Sequence, residues 1–426
     1  MGKSIGFITL GCKLNYAETS TYERALLKDG FVAVPWNKGA DAFLVNTCTV
    51  TEHSDKKCRN IIRKLHRQNP DSPIFVTGCY AQLKKAEIEA IDGVKCVFGA
   101  NEKSLVVPTI KDILNDCESC AYTAGTFFPA YSSGERTRSF LKVQDGCDYK
   151  CHYCTVPYAR GESRNISIAE IVSQAKEIAA EGIIEVVLTG VNTGDFGRST
   201  GENFFDLIKA LNEVEGIERY RISSIEPNLI TDEIIELCAR SEKFMPHFHI
   251  PLQSGSTRIL GAMRRRYTAE KYRERIARIR EFMPDSFLGV DVIVGFPGEG
   301  EEEFMETYRL LEEVEASYLH IFPFSERPGT PAITLPNKVM PRIATERVAR
   351  LEELSRHLHR NFAERFIGQQ RNVLFESTDR NGLMYGYTDN YLRVAAPYDI
   401  SKINTIVPVI LDTLTEEGDI SSKIVG

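Results

Sequence analysis

Apolar residues recur along this chain in two rhythms, and the rhythm changes as the chain proceeds. Up to about residue 120, short apolar runs at 5–10, 42–46 and 73–77 alternate with segments whose apolar positions return every three or four residues. Such runs fit strands buried on both faces, and the segments between them fit helices that cover those faces. The pattern predicts a parallel α/β sheet. Residues 121–138 are rich in Gly, Ser, Thr and Pro and predict a linker. Strand runs at 140–144, 185–189, 220–223, 248–252, 290–294 and 318–323 then alternate with helical patterns at 167–182, 203–214, 231–241, 268–282 and 300–315. These strand–helix units predict an open (β/α)6 barrel, short of the closed eightfold form. A charged amphipathic helix follows near 342–365. The tail changes character again, with short strands at 371–376, 383–388, 392–395 and 407–414 separated by turn residues. That suits a small five-stranded β-barrel, an architecture often used to hold oligonucleotides. The expected fold class is therefore α/β with a small all-β C-terminal barrel. The expected domains are 1–120, 139–368 and 369–426, with the linker at 121–138.

Composition narrows the setting. The chain has 426 residues, 42% hydrophobic and 26% charged, with a net charge of −7. No apolar run approaches the ~20 residues of a membrane helix. The first residues lack the apolar stretch of a signal peptide. A cytoplasmic protein with no membrane partner is expected. Its overall negative charge means that any nucleic-acid binding must come from local basic patches. Eleven cysteines at scattered positions do not suggest a disulfide framework, which the cytosol would reduce. Metal ligation or catalysis is the better expectation.

Three cysteines carry the strongest chemical signal. Cys147, Cys151 and Cys154 follow a predicted strand in Gly146-Cys147-Asp148-Tyr149-Lys150-Cys151-His152-Tyr153-Cys154. Soft thiolates select zinc, copper(I) or iron–sulfur clusters. Structural zinc needs four ligands, typically as two separated pairs; here there is no nearby fourth cysteine, and His152 is the immediate neighbour of Cys151. Three ligands on a four-iron cluster leave one iron open. Zinc binding or simple packing of the thiols are the competing readings. This C-x3-C-x2-C spacing resembles the radical S-adenosylmethionine signature. The resemblance implies a 4Fe-4S cluster whose open iron chelates the amino and carboxylate groups of S-adenosylmethionine and cleaves it to a 5′-deoxyadenosyl radical, the protein orienting the cofactor and excluding water.

A second trio is dispersed. Cys12, Cys48 and Cys79 each stand just after one of the first three predicted strands, in Gly11-Cys12, Thr47-Cys48 and Gly78-Cys79. The carboxyl ends of parallel strands share one edge of the sheet, so these three cysteines are expected to converge on a second 4Fe-4S cluster. The plain alternative is small apolar residues ending buried strands. Cys58, Cys96, Cys117, Cys120 and Cys238 lack such a pattern, and the Cys117–Cys120 spacing has no second pair.

The two trios together resemble the methylthiotransferases over essentially the whole chain. Gly11-Cys12-Lys13-Leu14-Asn15, Asn46-Thr47-Cys48-Thr49-Val50 and Gly78-Cys79-Tyr80-Ala81-Gln82 are similar to that family's N-terminal motifs. Lysine directly after the first cysteine is similar to the branch acting on threonylcarbamoyladenosine in tRNA. The resemblance implies a TRAM-type RNA-binding tail and two uses of S-adenosylmethionine, as methyl donor and as radical source. It implies methylthiolation of carbon 2 of the adenine at tRNA position 37, in the anticodon stem-loop. It also implies an electron donor such as flavodoxin or ferredoxin, and a sulfur donor. Sister branches act on isopentenyladenosine or on a ribosomal protein. A reading of another class is a non-catalytic iron–sulfur RNA-binding redox sensor.

Strand ends mark the expected cofactor contacts, because barrel enzymes place their sites there. Tyr153 precedes the last cysteine of the first trio. Thr189, Gly190 and Asn192 resemble the place where the superfamily binds the methionine amino group. Ser223, Ser224 and Glu226, then Gln253 and Ser254, end the next two strands. Ile293 and Gly295 resemble the apolar strand that lines the adenine. Basic residues Lys56, Lys57, Arg59, Arg63, Lys64 and Arg67 form one candidate RNA stripe. Arg264, Arg265 and Arg266 form another, and Tyr385, Tyr387, Tyr391 and Arg393 a third in the tail. Exposed helix faces and barrel-filling tyrosines would produce the same patterns.

Overall fold

A computed structural model of the chain describes residues 2–49, 51–115, 125, 127–134 and 137–425. Strands β1 (Ser4–Thr9), β2 (Val32–Val34), β3 (Ala42–Thr47), β4 (Ile74–Gly78) and β5 (Val94–Val97) form a parallel sheet in the order β2-β1-β3-β4-β5. All six residues of β3 are buried, as a strand covered on both faces requires. The edge strands β2 and β5 lie outside the sequence expectation: β2 is only three residues long, and Lys95 interrupts the apolar run of β5.

Strands β6 (Arg138–Lys142), β7 (Glu185–Thr189), β8 (Arg219–Ile222), β9 (Phe244–His249), β10 (Phe287–Val294) and β11 (Tyr318–Pro323) form an open parallel sheet in chain order. The expected six-stranded open barrel is present. Its helices Ile168–Ala180, Phe204–Asn212, Asp232–Arg240 and Ala269–Phe282 each begin where Ser167, Asn203, Thr231 or Thr268 accepts a backbone N–H of the first turn. Strand β9 overlaps the predicted 248–252 only at Phe248 and His249. The apolar run continues into the core through buried Ile250 and Leu252, but Pro251 has no N–H to give to a ladder.

The tail closes into a barrel of β12 (Gln370–Phe375), β13 (Leu383–Thr388), β14 (Arg393–Pro397), β15 (Ile406–Leu414) and β16 (Ile420–Ile424), ordered β12-β13-β14-β16-β15. Val373, Phe375, Met384, Val394 and Leu411 fill it. It docks on the barrel end where the strands begin. Arg221 of β8 bonds Glu185 at 2.9 Å and donates to the carbonyls of Thr388 and Asp389 at 2.8 and 2.7 Å. Arg138 of β6 reaches Glu376 at 2.6 Å.

A fully buried ion core joins the first two sheets. Glu18, in the helix Lys13–Lys28, meets Lys103 at 2.6 Å, Lys142 at 2.9 Å and Arg160 at 3.2 Å. Asp145, just past β6, meets Lys142 at 2.7 Å, Arg160 at 2.9 Å and Lys103 at 3.4 Å. Burial alone would raise both carboxyl pKa values, but Lys103, Lys142 and Arg160 together hold them below the ordinary carboxylate range. Their stabilisation is therefore present above the unfolded-state pKa and lost as pH falls through that range toward the folded values. Glu18→Gln leaves buried cations short of a partner, and denaturant unfolding should detect a loss of about 3–5 kcal/mol. The variant should also lose stability less steeply than the native chain as pH drops below about 4.5. An acid slope identical to the native one would mean that Glu18 does not carry this effect.

Candidate cluster and cofactor site

Gly146 follows β6 at φ +71, and a Cβ there would fall 1.9 Å from the carbonyl oxygen of Glu162. Only glycine admits this close approach. It opens the loop that carries Cys147, Cys151 and Cys154. The backbone N–H groups of Tyr149 and Val156 donate to the sulfurs of Cys147 and Cys154, each at 3.4 Å. Arg265 Nη1 donates to Cys151 Sγ at 3.1 Å and to the Tyr153 hydroxyl at 3.2 Å, and it pairs with Glu226. His152 Nδ1 lies 2.8 Å from the Ala262 carbonyl, which commits that ring elsewhere. All three thiols line one cavity of about 310 Å³. The cavity lining has no histidine and no fourth cysteine among the described residues. Burial pushes the thiols of Cys147 and Cys154 up to about 12 and raises that of Cys151 against the pull of Arg265. A metal centre is then what converts them to thiolates, with release of their protons. Three convergent soft donors and no protein fourth ligand fit a cluster with one open iron.

The second trio sits where the parallel topology puts it. Registers Thr9↔Asn46 and Thr47↔Gly78 align the ends of β1, β3 and β4. Cys12 caps the helix Lys13–Lys28, Cys48 follows β3, and Cys79 opens the helix Cys79–Leu83. A Cβ on Gly11 would stand 3.0 Å from Cys48 Sγ, so the bare backbone beside Cys12 is what lets Cys48 approach. Asn15 Nδ2 fixes the two loops by donating to the carbonyls of Leu10 and Thr47 at 2.8 and 2.9 Å. Cys12 and Cys79 both lie within electrostatic reach of Arg160. Burial raises the Cys79 thiol, and Arg160 opposes that rise. The segment after Cys48 reaches the first trio's cavity. Arg327, after β11, donates to Thr49 Oγ1 at 2.7 Å and pairs with Asp55 at 2.9 Å, and Arg327 and Thr51 both line the first trio's cavity. Buried Cys58 donates to the Cys48 carbonyl at 3.4 Å, and Cys238 is buried beneath the barrel. Cys96 packs beside the first sheet's core. Cys117 and Cys120 lie outside the described residues.

Of the expected cofactor contacts, Tyr153, Asn192, Ser224, Glu226, Gln253 and Ile293 line the cavity. The others stand behind it. Thr189 Oγ1 donates to the Val187 carbonyl, Ser223 N to that of Leu188, and Ser254 Oγ accepts from Ser256 N. Gly190 lies against Gln144, whose Oε1 accepts from the N–H groups of Val191 and Asn192. Gly295, at φ +81, donates to Glu299.

The basic stripes divide. Lys56, Lys57, Arg63, Lys64 and Arg67 are exposed on the helix Glu52–Gln68, while Arg59 is held by Tyr80 and Glu87. Arg264 and Arg266 are exposed, whereas the Arg265 side chain is only 4% exposed and serves the first trio. Arg393 lies 4.4 Å over the Tyr385 ring. Tyr387 and Tyr391 stack on each other at 4.7 Å, and Arg138 and Arg221 of the central barrel lie over them. These two rings therefore serve the domain junction. Sequence reasoning missed His249, Asp291 and His320, whose ligating atoms lie within 4.8 Å of one another. Asp291 was readable as a lone charge inside an apolar strand.

Residues 4–99 match the model of the Uncharacterized protein family UPF0004, and residues 141–311 that of the Radical SAM superfamily. The chain is 40% identical over 422 residues to the threonylcarbamoyladenosine tRNA methylthiotransferase MtaB of Bacillus subtilis, covering 95% of this chain and 93% of that protein. The MtaB of Aquifex aeolicus is 38% identical, covering 92% and 96%. The tRNA-2-methylthio-N(6)-dimethylallyladenosine synthase of Thermobifida fusca is 34% identical, covering 86% and 76%. Among solved structures, the radical S-adenosylmethionine methyltransferase TsrM of Kitasatospora setae superposes with a TM-score of 0.57 at 15% identity, covering 90% of this chain and 81% of that one, a likeness of fold.

Thiol alkylation of the metal-free protein tests the site's electrostatics. Raised pKa values keep Cys147 and Cys154 protonated at pH 8, so their peptides should label slowly and faster as pH rises. Exposed Cys12 should label first. Equal rates at pH 8 for all three would refute the burial argument.

Proposed function

The chain belongs to the radical S-adenosylmethionine methylthiotransferase family, and from that premise we propose that it methylthiolates carbon 2 of threonylcarbamoyladenosine at position 37 of tRNA. The observation that carries this reading is the wall that Thr51 adds. Thr51, three residues after Cys48, lines the cavity of the first trio together with Arg327, so the segment that follows Cys48 reaches the chamber of the first trio. Lysine directly after the first cysteine, and relatives named for this nucleoside, support the branch. A 4Fe-4S cluster on each trio and two equivalents of S-adenosylmethionine supply, when bound, the radical, the methyl group and the site of sulfur delivery.

The chain's own residues bind, orient and shield. Cys147, Cys151 and Cys154 hold one cluster, and Cys12, Cys48 and Cys79 hold the second. Arg265 balances the charge of Cys151 while Glu226 holds its guanidinium in place. Asn192, Ser224 and Gln253 offer polar contacts at the strand ends, and Ile293 gives the adenine an apolar face. Gln144 fixes the loop that carries Asn192. The target base leaves the anticodon-loop stack to enter the chamber, as base-modifying enzymes require. The exposed stripe Lys56, Lys57, Arg63, Lys64 and Arg67, with Arg264 and Arg266, follows the phosphates. The C-terminal barrel adds the Tyr385 and Arg393 pair. A one-electron donor such as flavodoxin or ferredoxin, and a sulfur donor, complete the reaction in the cytoplasm. Among the described residues no helix is long and apolar enough to cross a membrane.

Nucleoside mass spectrometry of tRNA from cells lacking this gene tests the substrate. The methylthio form of threonylcarbamoyladenosine should disappear. Loss of the isopentenyladenosine product instead would assign the sister branch, and unchanged tRNA would refute both. In reconstituted protein, Cys147→Ala should abolish release of 5′-deoxyadenosine. Cys48→Ala should retain that release but yield no methylthiolated RNA; product from Cys48→Ala would remove the second cluster from the mechanism.

A further inference from the structure

Beneath the cofactor cavity the barrel carries polar groups that the reaction described above does not employ. Asp291 and Ile293 alternate onto the inner face of β10, and both line the cavity. Asp291 Oδ1 accepts from His249 Nε2 of β9 at 2.7 Å, and its second oxygen has no partner among the described residues. His320 of β11 pairs in register with Asp291, and its ring lies 5.2 Å from that of His249. The wall between the imidazoles is bare: a Cβ on Gly289 would lie 3.8 Å from His249 Cδ2 and 3.9 Å from His320 Nε2.

Lys13 enters this space from the first turn of the helix Lys13–Lys28. Its ammonium lies within electrostatic reach of Tyr391, Arg138, Arg221 and Asp291, and it acts in turn on His247 and His320. It is half-buried, so it lines a chamber and is not packed in a core. The neighbouring groups have direct partners. Arg221 has Glu185 and Arg138 has Glu376, while Asp291 Oδ1 is hydrogen-bonded to His249. Lys13 makes no hydrogen bond or ion pair among the described residues, so its half-buried ammonium lacks a direct partner. His249, Asp291 and His320 would also suit a transition metal, but the charge of Lys13 opposes a second cation there and favours an anion.

We propose that this chamber is the subsite for the amino-acid arm of the substrate base, with Lys13 holding the arm's free carboxylate and Asp291 and His320 receiving its hydroxyl. The placement is continuous with the cofactor cavity through Asp291, so an adenine near the first trio would direct a substituent on its amino group down β10 toward Lys13. The substrate is thereby selected by charge, because an isopentenyl arm offers no anion and would leave the ammonium unpaired. This inference rests on the reading that the substrate is threonylcarbamoyladenosine.

The test compares binding of two anticodon stem-loops to the reconstituted full chain, one carrying threonylcarbamoyladenosine and one carrying unmodified adenosine. The native protein should prefer the first. Lys13→Gln should reduce that preference by at least about tenfold, the scale of one lost hydrogen bond to a charged group, and Lys13→Arg should restore part of it. Lys13 adjoins Cys12, so iron content is measured alongside. His320→Gln, remote from either trio in sequence, should reduce the same preference without loss of iron. A strong native preference that survives both Lys13→Gln and His320→Gln overturns the subsite and leaves the proposed function standing. No preference in the native protein overturns the choice of nucleoside itself. Zinc or manganese bound stoichiometrically by the native chain and lost in His320→Gln also overturns the proposal, since a cation would then occupy the place assigned to the carboxylate.

Discussion

The arrangement of this molecule depends on five charges removed from water at the joint between its first two sheets. Glu18 and Asp145 are shared by Lys103, Lys142 and Arg160, all essentially buried. Buried ions are tolerated only when geometry and partners are nearly complete, and here completeness requires both sheets. Glu18 and Lys103 come from the N-terminal part, and Lys142, Asp145 and Arg160 from the central barrel. Glu18 and Lys103 pair within the N-terminal part, but Lys142 and Arg160 of the barrel share Asp145 and need Glu18 as well. The joint therefore fixes the relative position of the two parts more sharply than an apolar contact would. The three cations exceed the two carboxylates by one, and Arg160 is the member within reach of Cys12 and Cys79. The joint that aligns the domains thus also supplies positive charge to the second cysteine trio.

Alignment has a chemical purpose. The first trio's cavity is not framed by one domain alone. The cavity around Cys147, Cys151 and Cys154 is walled partly by Thr51 of the other domain, held by the clasp of Arg327 on Thr49 and Asp55. Lys13, next to Cys12 in the chain, projects into the central barrel. One domain therefore contributes both a cavity wall and a charged group to a space framed by the other.

Much of this was legible in the sequence, and the limits have physical causes. Parallel strands end on one edge, so strand positions alone place Cys12, Cys48 and Cys79 along that edge. Apolar runs and helical periodicity located the strands and helices of the central barrel. The ion core was not legible, because Glu18 pairs with Lys103 and Lys142 across 85 and 124 residues, and no local pattern encodes that. Arg265 looked like a surface cation in a run of three arginines. The left-handed turn at Arg264, φ +61, reverses the chain and sends the next side chain inward to Cys151. Tyr387 and Tyr391 resembled a stacking platform for bases, and they do stack, but against arginines of the barrel floor.

That floor has a consequence for reach. Arg219 and Arg221 grip the carbonyls of Asn372, Tyr387, Thr388 and Asp389, and Tyr391, in the left-handed region at φ +67, sets its ring 4.3 Å from that of His247. The C-terminal barrel is bolted on by its backbone, so it cannot swing on a tether in search of RNA. It acts as a fixed ruler: whatever part of a stem it touches, the span from there to the reacting base is set by the protein, and an RNA of the wrong span presents its base out of register.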